Sequence, residues 1–350
     1  MFNREYYERD LTAASARAAE VGLFEGKRVL VTGATGLIGS FVVDALLRLI
    51  GRGRDVQVYA AGRSRAKIEA RFGDSARDPR FHYVPYDAAT PLELDAAPDF
   101  IIHGACSAHP MAYAQDPTGI MKANLLGTLN LLELVRRNGR GRLIFLSSGE
   151  VYGENPDLPD GFSEADHGYV DPMLPRSCYP ESKRAAETLC AAYAAQFGAE
   201  AMVARLCHVY GPTLTAENTR ADAQFLRKAL AGEDIVMKST GAQVRSYCYV
   251  ADAAQALFLL LEKGAPGNAY NVANRACTHS IREYAQTLAD IAGVRLAFDL
   301  PPETEKAGYT RITRAVFNPS KLEALGWQPA YSLREGLEQT YRSLDGRRSC

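Results

Sequence analysis

The sequence predicts an α/β protein: a doubly wound parallel sheet with a smaller α/β lobe in the C-terminal part of the chain. Three observations carry that expectation. Short apolar runs of strand length recur at Arg28–Thr32, Val56–Ala61, 82–86, Asp99–Gly104 and Arg142–Ser147. Stretches with helical spacing of apolar residues lie between them, and alternating strands and helices build a parallel sheet covered on both faces. At 350 residues with 47% hydrophobic side chains, the chain is long enough for two joined lobes.

Taken in order, residues 3–22 read as a helix that Gly26 separates from the rest, so residues 1–26 are expected to form a helical extension. Residues 27–210 hold the five runs, with helices expected over Ser40–Ile50, 64–72, 117–138 and 179–197, and a further strand at Met202–Leu206. Residues 211–345 are less regular and are assigned mainly to the smaller lobe, with some segments returning to the first sheet. Tyr247–Val250 reads as a strand there, and 220–231, 251–263, 280–292 and Leu333–Leu344 read as helices. Pro- and Gly-punctuated joins fall at 211–213 and 264–268.

Composition narrows the function classes. A formal net charge of −1 gives no long-range attraction to nucleic acid or to an anionic membrane. Seven cysteines without CxxC spacing argue against a disulfide framework or a zinc site, and read as reduced thiols. No run of 18 apolar residues exists and the charged start is unlike a signal peptide, so a cytoplasmic enzyme is expected.

The turn Gly33-Ala34-Thr35-Gly36-Leu37-Ile38-Gly39 lies between the first strand and the first long helix. In that setting one glycine permits a tight turn, one lets backbone N–H groups approach a pyrophosphate, and one allows close helix–sheet packing. The helix N-terminus then meets the phosphates with its positive dipole end. A dinucleotide site of Rossmann type is the expectation, against the alternative of a glycine-rich turn with no ligand. The second strand ends in Ala61-Gly62-Arg63 with no carboxylate for the ribose of NAD, and Arg63 could clamp the extra phosphate of NADP; NAD is expected and NADP stays open. Arg65 reads as a surface arginine. Asp87 is placed either to bond an adenine amino group or to cap a turn.

Tyr179 and Lys183 stand four apart at the start of a predicted helix and share one face. A nearby ammonium is expected to favour tyrosinate, so that the phenol can exchange a proton while a hydride moves to nicotinamide. About thirty residues earlier the strand 142–147 runs into Ser147-Ser148-Gly149-Glu150. Hydroxyls at the C-terminal end of a parallel strand face the ligand crevice, so Ser148 is expected to bond the reacting oxygen and Glu150 to act as acid or base beside it. An N-cap and a solvated turn are the plainer readings of these two.

With these motifs in this order, the chain resembles the extended short-chain dehydrogenase/reductases, the nucleotide-sugar epimerases, dehydratases and decarboxylases of the NAD-dependent epimerase/dehydratase family. The resemblance spans about residues 27–345. It takes in the Gly33–Gly39 turn, Asp87, His103-Gly104-Ala105, Asn124, Ser148, Tyr179 and Lys183, the stretch Arg205–Pro212, Arg245–Val250 and Tyr270–Asn274. Pro175–Glu187, Glu150-Val-Tyr-Gly153 and the run from Gln224 to Val250 look most like the UDP-glucuronate decarboxylases. The resemblance implies cofactor contacts from Gly33, Thr35, Gly36, Leu37, Ile38, Gly39, Arg63, Asp87, Ala105, Asn124, Tyr179 and Lys183. It implies substrate contacts from Glu150, His208, Gln224 and Arg245, with Arg245 on the diphosphate or the carboxylated sugar, and a homodimer paired through the Tyr179 helix and the long helix before it.

The chain departs from the pattern in places. The 4,6-dehydratases carry an Asp-Glu pair where this chain has Gly149-Glu150, which argues against dehydration. His208 replaces an Asn and is either a substrate contact or a satisfied buried histidine. Ser182 replaces a Gly beside the lysine. Cys178 and Cys207 fall near the site but read as packing. The expected activity is transient oxidation of a nucleotide-linked sugar at C4, followed by decarboxylation. Alternatives are 4-epimerisation, NADPH-dependent ketoreduction, and a silent dinucleotide or nucleotide-sugar sensor.

Overall fold

Seven parallel strands form the central sheet, six of them at the runs the sequence marks as strands. The computed structural model describes residues 3–106, 108, 110–154, 158, 161–300 and 313–345. Helix α1 (Arg4–Glu20) precedes β1 (Lys27–Thr32), α2 (Leu37–Gly51), β2 (Val56–Gly62), α3 (Arg65–Phe72), β3 (Phe81–Pro85) and β4 (Phe100–His103). Then come α4 (Pro110–Gln115), α5 (Pro117–Asn138), β5 (Arg142–Ser148), α6 (Cys178–Phe197), β6 (Glu200–Leu206) and β7 (His208–Tyr210). The remainder is α7 (Ala221–Ala231), β8 (Ile235–Met237), β9 (Val244–Tyr249), α8 (Val250–Lys263), β10 (Ala269–Val272), β11 (Thr278–Ser280), α9 (Ile281–Ala292), β12 (Leu296–Phe298), β13 (Arg314–Ala315), α10 (Ser320–Glu323) and α11 (Leu333–Leu344).

The sheet order is β10-β6-β5-β4-β1-β2-β3, with every pair parallel. Alternation along the strands buries both faces: Val29, Val31, Ile102 and Ile144 pack into one core cluster with α2 and α8, and Leu30, Ile101, Leu143 and Phe145 into another with α5 and α6. Strand order reverses between β1 and β4, where a doubly wound sheet opens a crevice at the strands' C-terminal ends.

β10 comes from the C-terminal half yet closes the sheet beside β6, so segments do return to the first sheet. A second sheet is built on β9, flanked by β11 and β13 and paired with β7, and β8 pairs with β12. These strands are only two to six residues long, too short for periodicity to reveal most of them. Helix starts are chemically marked. Asp116 caps α5, and Ser280 with Glu283 and Ser332 with Glu335 form capping boxes on α9 and α11.

The N-terminal helix is found where residues 3–22 predict one, and it is part of the core. Tyr7, Leu11, Ala14 and Ala18 are buried with α2 and α8, and Tyr7 meets Phe41 edge-on at 5.8 Å. Its Asp10 is fully buried and accepts hydrogen bonds from Tyr249 Oη (2.5 Å), Tyr331 Oη (2.8 Å) and Gln339 Nε2 (2.9 Å). Asp44 of α2 binds both the Tyr7 hydroxyl and Arg71 of α3. No helix among the described residues is long and apolar enough to cross a membrane.

Candidate active site

The glycine turn sits at the point where strand order reverses. Gly33 has φ +71°, and a β-carbon there would lie 2.5 Å from the Gly104 carbonyl oxygen at the end of β4. A β-carbon on Gly39 would lie 2.3 Å from the Gly33 carbonyl oxygen, so α2 can approach the turn only without a side chain there. Gly36 N-caps α2 without a side-chain hydrogen bond, which leaves the first-turn N–H groups facing the crevice. This bare backbone cradle fits a pyrophosphate. Thr213 Oγ1 donates to the Leu37 carbonyl at 2.7 Å and Lys67 of α3 pairs with Glu217 at 3.3 Å, so this segment of the C-terminal half reaches the start of α2 and α3.

Ser148, Glu150, Tyr179 and Lys183 come together at the ends of β5 and α6. Ser148 is the last residue of β5, and its side chain hydrogen-bonds that of Tyr179 and accepts from the Glu150 backbone N–H at 3.2 Å. Lys183 is one turn beyond Tyr179, with Nζ 5.7 Å from the Tyr179 ring centroid and 4.4 Å from that of Phe145. It donates to the Leu146 carbonyl at 2.6 Å.

The electrostatics differ from the expectation that Lys183 lowers the Tyr179 pKa. Burial raises Tyr179 above the usual phenol range, and the nearby Cys106 and Glu150 add to the rise. Ser148 and Arg220 oppose it. Burial also lowers Lys183 from the ordinary lysine range. Both effects have one cause: Tyr179 and Lys183 are 5% and 3% exposed, so each is pushed toward its uncharged form.

Several other expected residues lie close by. His208 of β7 is stacked obliquely on Tyr247 at 5.8 Å and held neutral, its pKa pushed down to about 3 by burial and then by Arg220 and Arg245. Arg245 of β9 is buried, donates to the Val244 carbonyl at 2.9 Å and feels the charge of Glu150. Ala105 follows Gly104 at the crevice and is partly buried. Asn124 is buried in α5 but donates to Ser182 Oγ at 2.9 Å, while Ser182 donates to the Cys178 carbonyl at 2.5 Å. The serine beside the lysine thereby ties α5 to the first turn of α6.

Others stand apart. Gln224 is on the exposed side of α7 and donates to the Thr219 carbonyl at 2.8 Å. Asp87 is exposed and caps its own turn through the Ala89 N–H at 2.9 Å. Arg63 is exposed at the end of β2. Arg65 lies over Tyr83 at 4.7 Å and pairs with Glu69. Cys350 falls outside the described residues; none of the other six cysteines is in a disulfide, and burial pushes the Cys178 thiol up, which suits packing rather than nucleophilic work.

Sequence reasoning passed over three residues. Tyr113 of α4 stacks on Tyr179 with ring centroids 4.7 Å apart and planes 27° from parallel. Arg176 lies over Tyr113 at 4.5 Å and binds both Glu150 oxygens, at 3.0 and 2.8 Å. Arg220 donates to the Val209 carbonyl and to Asp222 and feels Tyr179. Arg176 sits inside the Pro175–Glu187 stretch, so its position three residues before Tyr179 was a usable signal. Nothing in the spacing around Tyr113 or Arg220 marked them.

Comparison with known proteins finds relatives over most of the chain. UDP-glucuronic acid decarboxylase 6 of Arabidopsis thaliana is 35% identical over 316 residues, covering 89% of this chain and 86% of that protein. UDP-glucose 4-epimerase of Thermus thermophilus, solved in complex with NAD, matches with a TM-score of 0.72 at 27% identity, covering 91% and 99% of the two chains. The Thermotoga maritima UDP-glucose 4-epimerase with UDP-glucose gives 0.74 at 26%, covering 90% and 97%. The chain is thus similar to enzymes that modify nucleotide sugars. A family model described as the NAD dependent epimerase/dehydratase family matches residues 29–273, and with the parallel sheet and glycine cradle in place the chain belongs to that family.

Proposed function

We propose that the protein decarboxylates a UDP-linked glucuronic acid through transient oxidation at C4. The observation that carries this reading is the similarity to UDP-glucuronic acid decarboxylases over almost the whole chain, with Ser148, Glu150, Tyr179 and Lys183 all present and gathered at one crevice. NAD, held on the Gly33–Gly39 turn, supplies the hydride acceptor and donor when bound.

The chain's own residues do the rest. Tyr179 takes the proton of the sugar 4-hydroxyl, while Ser148 bonds the same oxygen and holds it in line. Lys183, one helical turn on with Nζ 5.7 Å from the phenol ring, would favour the ionised phenol when it carries its charge. The resulting 4-keto group draws electrons from the neighbouring carbon–carboxylate bond, and the carboxylate leaves as CO₂. Glu150 is the carboxyl placed to manage the proton at the ring carbon. Tyr179 returns its proton to the C4 oxygen at the end, and water is kept out by the burial of Tyr179 and Lys183.

The test is incubation of purified protein with UDP-glucuronate, following CO₂ release and the sugar product. CO₂ and a UDP-pentose are expected. A C4-inverted acid without CO₂ would replace decarboxylation by epimerisation, and steady consumption of added NADPH would point to a ketoreductase. Loss of turnover in Tyr179→Phe is expected, which a silent sensor would not show. A homodimer through α5 and α6, in a cytoplasmic setting, completes the proposal; the exposed Met121 and Leu126 on α5 supply apolar surface for pairing. Light scattering of the purified protein tests the pairing.

A further inference from the structure

Among the described residues four cations stand around Tyr179 and Glu150, and three are committed. Lys183 is buried on the Leu146 carbonyl. Arg220 is engaged by Asp222 and the Val209 carbonyl. Arg245 is 5% exposed and donates to a backbone carbonyl. Arg176 is different, since its side chain is 51% exposed and its acidic partner, Glu150, is 33% exposed. One guanidinium nitrogen reaches both carboxylate oxygens, rather than two nitrogens forming a fork. A pair this open to solvent holds little net energy and exchanges readily.

Position adds to the case. Arg176 lies on the turn Pro175–Ser177 that feeds α6, three residues before Tyr179. Its guanidinium rests on the Tyr113 ring, which itself stacks on Tyr179, so a stacked aromatic pair links the cation to the phenol's neighbourhood. Arg176 is the most solvent-exposed of the four cations, and Glu150 keeps a second guanidinium neighbour in Arg245.

We propose that Arg176 is the specificity-determining residue for an acidic sugar: the substrate carboxylate displaces Glu150 from Arg176, which selects uronates and frees Glu150 to act on the ring. This rests on the decarboxylase reading above. Because the guanidinium holds the carboxylate in the ground state as well, its effect falls on binding more than on the chemical step.

The experiment titrates UDP-glucuronate and UDP-glucose calorimetrically into wild type, Arg176→Gln and Arg176→Lys, with bound dinucleotide and melting temperature as controls of folding. Arg176→Gln is expected to weaken UDP-glucuronate about 10- to 100-fold, the range of a charge-assisted hydrogen bond, and UDP-glucose less than about 2-fold. KM for UDP-glucuronate should rise with it while kcat moves less, and Arg176→Lys should recover part of the loss. Equal weakening of both sugars, or of neither, overturns the proposal. If the selective loss appears without CO₂ release by wild type, the carboxylate role of Arg176 stands and the decarboxylase reading fails.

Discussion

The ring of Phe317 fills the space that a side chain at Gly149 would need: a β-carbon on Gly149 would come 1.7 Å from Phe317 Cζ. Phe317 is 4% exposed, its N–H donates to Ser246 Oγ at 3.1 Å, and its ring meets Tyr152 edge-on at 5.4 Å. It cannot swing aside without opening that small core. Gly149→Asp, the change toward the dehydratase pattern, should therefore cost about 1–3 kcal/mol by overpacking and create no water-eliminating activity. In a Phe317→Ala background the same change should cost less, and thermal melts of the four proteins give the coupling. A Gly149→Asp protein that melts like wild type would sink the idea.

The cradle glycines should be equally intolerant. With Gly33 at φ +71° and the Gly39 position 2.3 Å from a carbonyl oxygen, Gly33→Ala and Gly39→Ala must each displace backbone. Each should cost about 1–3 kcal/mol and reduce the dinucleotide retained through purification, read by mass spectrometry after denaturation. Full retention in Gly39→Ala would contradict the assigned cradle.

Ser148 opposes the rise in the Tyr179 pKa, and in the proposed mechanism ionised Tyr179 is the base. The rate should climb with pH as Tyr179 ionises. Ser148→Ala removes a stabilising hydrogen bond from the tyrosinate, so its pH–rate limb should move to higher pH and its kcat should fall. Lys183→Met should lower kcat by about 100- to 10,000-fold, the usual range for loss of proton-transfer catalysis. Both are read from kcat profiles between pH 6 and about 10, the unperturbed phenol range. An unmoved limb in Ser148→Ala would remove Ser148 from the proton path.

Asp10 ties α1 to the rest of the molecule. Asp10→Ala strands two tyrosine hydroxyls and an amide in a buried site. The expected loss is about 1–3 kcal/mol or more in urea unfolding, with kcat little changed in the fraction that stays folded. Stability within 0.5 kcal/mol of wild type, the ordinary scatter of about ±0.5 for surface changes, would show that α1 is merely appended.

Asp252 gives a pH signature of stability. It is buried and accepts from the Ala330 N–H at 2.8 Å and the Tyr331 N–H at 3.2 Å, and burial raises its pKa from 3.8 to about 7. The folded protein thus keeps this proton where the unfolded chain has lost it. Its contribution to stability falls as pH rises from 3.8 to about 7 and is level beyond, and Asp10, also raised by burial, acts in the same direction. In Asp252→Asn the melting temperature should fall less between pH 5 and 8, values chosen to bracket most of that roughly three-unit window. An identical slope in the two proteins would refute it.

Much of the molecule was legible in the residues. Arg28–Thr32 and its sister runs are apolar on both faces, which only a sheet covered on both sides satisfies, and that local pattern specified the parallel core. The Gly33–Gly39 turn and the Tyr179–Lys183 spacing were readable because their chemistry depends on neighbours three or four residues away. Ser148 and Glu150 followed from their place at the end of a strand. The sequence by itself determined the doubly wound architecture and the dinucleotide cradle, and it pointed to the four residues proposed for proton transfer.

Tertiary structure decided what depends on contacts between distant segments. Phe317 reaches Gly149 across 168 positions of chain, Arg176 finds Glu150 from a different turn, and Tyr113 stacks on Tyr179 from a short helix without periodicity. Asn124, expected at the cofactor, also reaches Ser182, and Gln224 lies on the exposed side of α7 and donates to the Thr219 carbonyl. The direction of the Tyr179 pKa could not be read from a spacing either, because desolvation depends on everything packed around the phenol, and the groups that oppose it are Ser148 and Arg220 from other segments.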